Sequence, residues 1–144
     1  MEVRKMTAAD VPAVTALENE IFSDAWTAEG FLESLENPNA IMLTAVENGN
    51  LAGYCCIYTV LDEAEIVNVA IHPKYRRLGL GFKMLKTMME YFVPQEGTQY
   101  YLEVRQSNTA AKRLYEKLGF AAAGVRKNFY EKPAEDAIVM QLML

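Results

Sequence analysis

Two stretches of this chain carry residues whose types and spacing could do chemistry. The first is Y-L-E-V-R, residues 101–105. Strand-like alternation there puts Tyr101, Glu103 and Arg105 on one face, and Leu102 and Val104 on the other. A glutamate in mid-strand, flanked by apolar residues, is either an exposed or Arg105-paired carboxylate or a general base held on a rigid element. The second stretch is H-P-K-Y-R-R-L-G-L-G-F, residues 72–82, a basic glycine loop between the apolar run Ile66–Ile71 and a helical pattern. The first turn of a helix has N–H groups without intrahelical partners and the positive end of the macrodipole, a combination suited to phosphate. Gly79 and Gly81 keep Cβ atoms out of the way, and Arg76 or Arg77 can add charge-assisted hydrogen bonds.

Charge supports the anion reading. The chain holds 19 acidic against 14 basic residues, yet no Asp or Glu falls between Glu65 and Glu90, where Lys74, Arg76, Arg77, Lys83 and Lys86 lie. The loop is neither a Walker loop nor a dinucleotide fingerprint. The plainer alternative is a glycine-containing strand-to-helix turn with solvated basic residues. A third stretch, Asn108–Phe120, has Ala111, Leu114, Tyr115 and Leu118 at i, i+3, i+4 and i+7. By pattern alone Tyr115 is a core aromatic and Asn108 an N-cap. One histidine and two adjacent cysteines give no metal-ligand spacing, so no metal is expected.

These residues need elements to position them. At 144 residues the chain suits one domain, 1–144, with an ordinary apolar fraction of 51%. A net charge of −5 argues against general nucleic-acid binding and fits an amine substrate better. Cys55 and Cys56 read as buried, reduced thiols. Neither an apolar signal core at the N-terminus nor a run of ~18 apolar residues is present, so a cytoplasmic protein without membrane contact is expected. A first strand over residues 1–6 leads to a helix from the T-A-A-D start to Phe22. Thr27 caps a second helix that ends before Asn37-Pro38. Trp26 between them is expected to pack rather than wall a pocket. Strands at Ile41–Val46, Leu51–Leu61 and Ile66–Ile71, with a hairpin at Asn48-Gly49, form an antiparallel meander. The helix after the loop, with Phe82, Leu85, Met89 and Phe92 on one face, leads to a strand at Gln99–Arg105, parallel to Ile66–Ile71. A helix over Ala110–Leu118 ends at Gly119, and strands at Ala121–Phe129 and Ala137–Leu142 follow.

A strand ending in H-P, then R-R-x-G-x-G, a helix, L-E-V-R on a strand, and N-x-x-A-x-x-L-Y-x-x-x-G-F together resemble the GNAT N-acetyltransferase superfamily, over essentially the whole chain. The resemblance implies an α/β GNAT-like fold: a mixed, mostly antiparallel sheet with a splayed parallel strand pair and flanking helices. L-E-V-R-x-S-N, R-K-N-F-Y at 126–130 and E-D-A-I-V-M at 135–140 are similar to the branch that acetylates the N-terminal alanine of a ribosomal protein. It implies acetyl-CoA as co-substrate and a protein N-terminus as partner. By the same resemblance, Val69, Ala70 and Ile71 meet the acetyl and pantetheine portion. Arg77, Leu78, Gly79, Leu80, Gly81 and Phe82 cradle the pyrophosphate, and Asn108 contacts the cofactor. Glu103 becomes the base that takes the amine's proton, and Tyr115 the acid that protonates the departing thiolate. Position 82 is Phe where a basic residue is frequent, so one phosphate contact is backbone-only. Tyr130 is a candidate for the peptide pocket, with packing as its other reading. Two further functions stay open at this point: acetylation of a small amine, and a non-catalytic acyl-CoA-binding module.

Overall fold

The computed structural model describes residues 1–76, 79–91 and 98–143, the side chains of Met88 and Tyr91 excepted. Its elements are β1 (Glu2–Lys5), α1 (Val11–Ile21), α2 (Ala28–Glu36), β2 (Ala40–Glu47), β3 (Asn50–Val60), β4 (Glu63–Ile71), α3 (Leu80–Tyr91), β5 (Gln99–Arg105), α4 (Thr109–Lys117), β6 (Ala121–Glu131) and β7 (Ala134–Met143). Local chemistry sets several boundaries. Asp10 accepts from the Thr7 N–H at 2.8 Å, the reciprocal half of a capping box, and also from both Arg4 guanidinium nitrogens at 2.8 Å. The Thr27 hydroxyl caps α2 by accepting from Gly30 N at 3.1 Å. Asn48 and Gly49, with φ of 50° and 79°, make the two-residue turn between β2 and β3.

The sheet has seven strands in the order β1-β2-β3-β4-β5-β7-β6. Every neighbouring pair is antiparallel except β4 and β5, which α3 connects. One face packs Val14, Leu17, Phe31, Tyr54 and Cys56 under α1 and α2. The other packs Leu43, Cys55, Ile57, Met84, Leu85, Leu102 and Tyr115 under α3 and α4. Trp26 stacks at a tilt on Phe31, 5.2 Å between ring centroids, which is the packing role expected of it. Both cysteines are buried and free, and burial raises their thiol pKa values. Among the described side chains of α3 the buried ones are Met84 and Leu85. Phe82, expected on that face, sits half-buried with Lys117 Nζ 4.9 Å and Lys86 Nζ 5.9 Å from its ring centroid. Phe92 lies outside the described residues.

Two irregularities shape the middle of the sheet. Cys56 pairs with Asn68 and Ile57 with Ile66, so Val67 is an extra residue in β4. A one-residue bulge reverses which face the following side chains take. Ala64 and Ile66 pack toward α3 and α4, and so do Val69 and Ile71, whereas Val67 and Ala70 pack toward α1 and α2. The second irregularity is the short parallel pairing. Glu63, Ala64 and Glu65 pair with β5, opposite Gln99, Tyr100 and Tyr101 respectively. Beyond them β4 is bonded only to β3, and β5 only to β7, so a gap opens between the two parallel strands toward their C-terminal ends.

Candidate active site in the gap between the parallel strands

The gap leaves main-chain groups without a ladder. His72 N donates to Ala52 O at 2.8 Å, so residue 72 turns its main chain to β3. With period-2 alternation Ala70 does the same, and Val69 and Ile71 turn theirs to the gap. Arg76 Nε bonds Ile71 O at 3.1 Å, consistent with that direction. Of the three β4 residues expected at the cofactor, Val69 and Ile71 therefore turn backbone groups toward the gap and Ala70 turns its own toward β3. Tight β3–β4 packing holds this end of the strand in place: a Cβ at Gly53 would stand 2.6 Å from Ala70 O.

The side chains of β5 and α4 divide between the two faces of the sheet. Tyr100, Leu102 and Val104 are buried toward α3 and α4, which leaves Tyr101, Glu103 and Arg105 on the opposite face, as the alternation predicts. Arg105 does not pair with Glu103. It binds Glu135 at 3.3 Å and the carbonyls of Pro133 and Lys132, and its guanidinium lies 4.2 Å from the Tyr130 ring centroid. The counterion of Glu103 is Arg126 on β6, Nε to Oε1 3.4 Å. Partial burial, and then the neighbouring Glu65 carboxylate, raise the Glu103 pKa against the pull of Arg126. Tyr115 comes from α4 on the other face, 8% exposed and edge-on to Phe120. Burial raises its pKa, which keeps the phenol protonated at neutral pH.

With this geometry in view, comparison with known proteins is direct. The acetyltransferase (GNAT) family model matches residues 11–120. The chain belongs to the GNAT acetyltransferase family. It is 33% identical over 142 residues to the [ribosomal protein bS18]-alanine N-acetyltransferase of Escherichia coli (strain K12), covering 97% of this chain and 95% of that one. A Bacillus subtilis (strain 168) protein, provisionally named for the same activity, is 41% identical over 139 residues, 96% and 92% of the two chains. The crystal structure of the Escherichia coli ribosomal-protein-S18-alanine N-acetyltransferase superposes with a TM-score of 0.87 over 98% of this chain and 92% of that one, at 33% identity.

The remaining candidate residues lie on α3, α4 and β6 or outside the described residues. Gly79, at φ +73°, has nothing within 4 Å of where a Cβ would stand, and Gly79 O accepts from Lys83 N in the first turn of α3. Leu80 opens that helix. At Gly81 a Cβ would stand 3.2 Å from Leu114 Cδ2 and 3.6 Å from Ile71 Cδ1, so this glycine lets α3 approach α4 and β4 closely. Arg77 and Leu78 lie outside the described residues. Asn108 caps α4 through Oδ1, accepting from Ala111 N at 3.1 Å. Tyr130 is half-buried, covered by Arg105 and edge-on to Phe129 at 5.0 Å. Sequence reasoning missed Glu65, Arg126 and a buried carboxylate on α1, Glu18. The last accepts from Tyr54 OH, from Asn68 Nδ2 at 2.9 Å and from Trp26 N at 2.9 Å, tying α1, the chain before α2, β3 and β4 together. Glu65 carried the same signal as Glu103, an acid in a strand-like apolar run. Among the described residues no group of three or more His, Cys, Asp or Glu is placed to hold a metal ion. No described helix is long and apolar enough to cross a membrane.

Proposed function

We propose that this chain is an acetyl-CoA-dependent N-α-acetyltransferase acting on the N-terminal alanine of a ribosomal protein, with Glu103 as general base and Tyr115 as general acid. The observation that carries the proposal is the gap between β4 and β5, with the Glu103 carboxylate on one face of β5 and the buried Tyr115 phenol packed on the other. The names of the Escherichia coli and Bacillus subtilis relatives support the alanine substrate. Such a substrate places the enzyme in the cytoplasm.

The unbonded edge at Val69 and Ile71 fits the extended pantetheine arm of acetyl-CoA, and the first turn of α3 after Gly79 fits its phosphates. Acetyl-CoA supplies the activated acetyl group as a thioester. Glu103 accepts a proton from the substrate nitrogen, directly or through water. A peptide α-amine has a pKa of ~7.7–8.0 against ~10.4 for lysine, so a carboxylate of modestly raised pKa is base enough for the former. An N–H turned into the gap at Val69 or Ile71 stabilises negative charge on the carbonyl oxygen. Tyr115 gives its proton to the leaving sulfur. In this reading Asn108 contacts the cofactor and Tyr130 the peptide.

The test is thiol release from acetyl-CoA with two hexapeptides, identical except that the N-terminal alanine is free or blocked. Release with the free peptide alone supports the proposal. Silence with both, alongside turnover of a small amine, would replace the substrate assignment, and cofactor binding without any turnover would replace the enzyme reading.

A further inference from the structure

The acetyl transfer itself leaves Arg105 and the E-D pair at 135–136 without a role. Arg105 pairs with Ala137, Arg126 also with Ala137, and Tyr130 with Glu135. Cross-strand partners share a face, so Arg105, Glu135, Arg126 and Tyr130 all lie on the Glu103 face of the sheet. There the Arg105 guanidinium makes three bonds: to Glu135 Oε1 at 3.3 Å, Pro133 O at 2.9 Å and Lys132 O at 3.2 Å. Its flat side lies 4.2 Å from the centroid of the half-buried Tyr130 ring. Lys132 O also accepts from the Ser23 hydroxyl, so the chain between α1 and α2 meets the same turn. Between the Arg126–Ala137 and Tyr130–Glu135 pairings, β6 has three residues where β7 has Asp136 alone. Asp136 Oδ1 holds that bulge by accepting from Asn128 N at 2.8 Å, where φ is +54°.

We propose that Arg105 is a positioning residue for peptide recognition: it holds the β6–β7 turn and the Tyr130 ring as a wall beside Glu103, and this wall reads the residues that follow the terminal alanine. A guanidinium presents five N–H donors in one plane, so a single side chain satisfies a carboxylate and two carbonyls while its face backs an aromatic ring. A lysine, with a compact ammonium, cannot do all of this at once. Distance favours the arrangement. Arg105 follows Glu103 by two strand residues, roughly 6–7 Å, so a peptide whose amine sits at Glu103 reaches the turn with about its second or third residue. An amine with nothing beyond its first residue stops short of it. The role rests on the α-amine acetyltransferase reading and gives that reading its preference for a peptide over a small amine.

The test compares thiol release from acetyl-CoA with two substrates, an alanine hexapeptide and alaninamide, which has the same amine and no following residue. The wild-type enzyme should prefer the hexapeptide. In Arg105→Gln the ratio of kcat/KM for the hexapeptide to that for alaninamide should fall on the order of tenfold, through the peptide KM. Arg105→Lys should lower the ratio too. Tyr130→Ala should lower it by itself, and the double variant Arg105→Gln with Tyr130→Ala should be no worse than the poorer single one, because both act on one wall. An unmoved ratio in folded Arg105→Gln, or equal losses on the two substrates, would overturn the proposal. If Arg105→Gln fails to fold, Tyr130→Ala decides, and an unmoved ratio there overturns it as well. So does a wild-type enzyme that turns over both substrates without preference. A wild-type protein inert toward every peptide would instead remove the α-amine reading, and this role with it.

Discussion

Replacing Arg126 with glutamine isolates the cation that faces Glu103. The two charged groups stand 3.4 Å apart. At that distance, with the dielectric of water appropriate to a side chain as exposed as Arg126, Coulomb attraction is worth about 1 kcal/mol. Since one pKa unit corresponds to ~1.4 kcal/mol, the Glu103 pKa should rise by roughly half to one unit when the cation is removed. A higher pKa leaves less ionised base at a given acidic pH, so the enzyme's acidic limb in kcat/KM should move upward by that amount. The assay is thiol release with an alanine peptide at low salt, followed down the acidic limb and up past the α-amine's own break. The peptide's own α-amine gives a second break near ~8 that stays in place, so only the lower break should shift. High salt should shrink the difference between the two enzymes, because exposed charges are screened. A lower break that stays put, or moves down, would refute the assignment of Glu103 as the base under the influence of Arg126.

Three further outcomes are expected. Tyr115→Phe should lower kcat by roughly 10²–10⁴-fold while the Kd for acetyl-CoA, measured by calorimetry, stays the same; unimpaired turnover would remove Tyr115 from the chemistry. Glu18→Ala leaves Tyr54 OH, Asn68 Nδ2 and Trp26 N without their acceptor. At about 1–3 kcal/mol for each of the two buried donors, Tyr54 OH and Asn68 Nδ2, the loss in urea unfolding should be at least ~2 kcal/mol, and a loss under about 1 kcal/mol would contradict the network. Asp10 titrates at about 2, chiefly because of its hydrogen bonds to Arg4. Its folded pKa lies below the unfolded value of ~3.9, so its contribution is present above that value and disappears as pH falls through about 2. Discounted for the exposure of Arg4, Asp10→Asn should cost about 1 kcal/mol near neutral pH and little once the pH has fallen to about 2; a pH-independent difference would refute the ion pair.

How much of this was legible in the residues depends on the range of the interaction. The order of elements follows from caps, turns and alternation, all local signals, and the order of the described elements from β1 to β7 matches them. The face of β5 that carries Glu103 was readable for the same reason, since Leu102 and Val104 must be buried. The bulge at Val67 was not, because Ile66–Ile71 carries apolar residues on both alternating faces, Asn68 aside, so its alternation does not fix the register. The partner of Glu103 was not readable either. Arg105 is the near neighbour in sequence, but Glu135 and the turn carbonyls at 132 and 133 claim it, and Arg126 arrives from a strand whose edge position no local pattern reveals. Phe82 misled in the opposite way: two lysines provide an aromatic contact at the surface, and Met84 takes the buried position. Gly81 shows one residue with two readings, since the close approach of Leu114 explains its missing side chain without any ligand.

The central claim is that this gap delivers acetyl to a peptide α-nitrogen. The most direct measurement uses a peptide with a free N-terminal alanine and one internal lysine, incubated with acetyl-CoA and the enzyme and then mapped by fragment mass spectrometry. The account predicts acetyl on the α-nitrogen alone. Acetyl on the lysine, or on neither nitrogen while the cofactor binds, would contradict it.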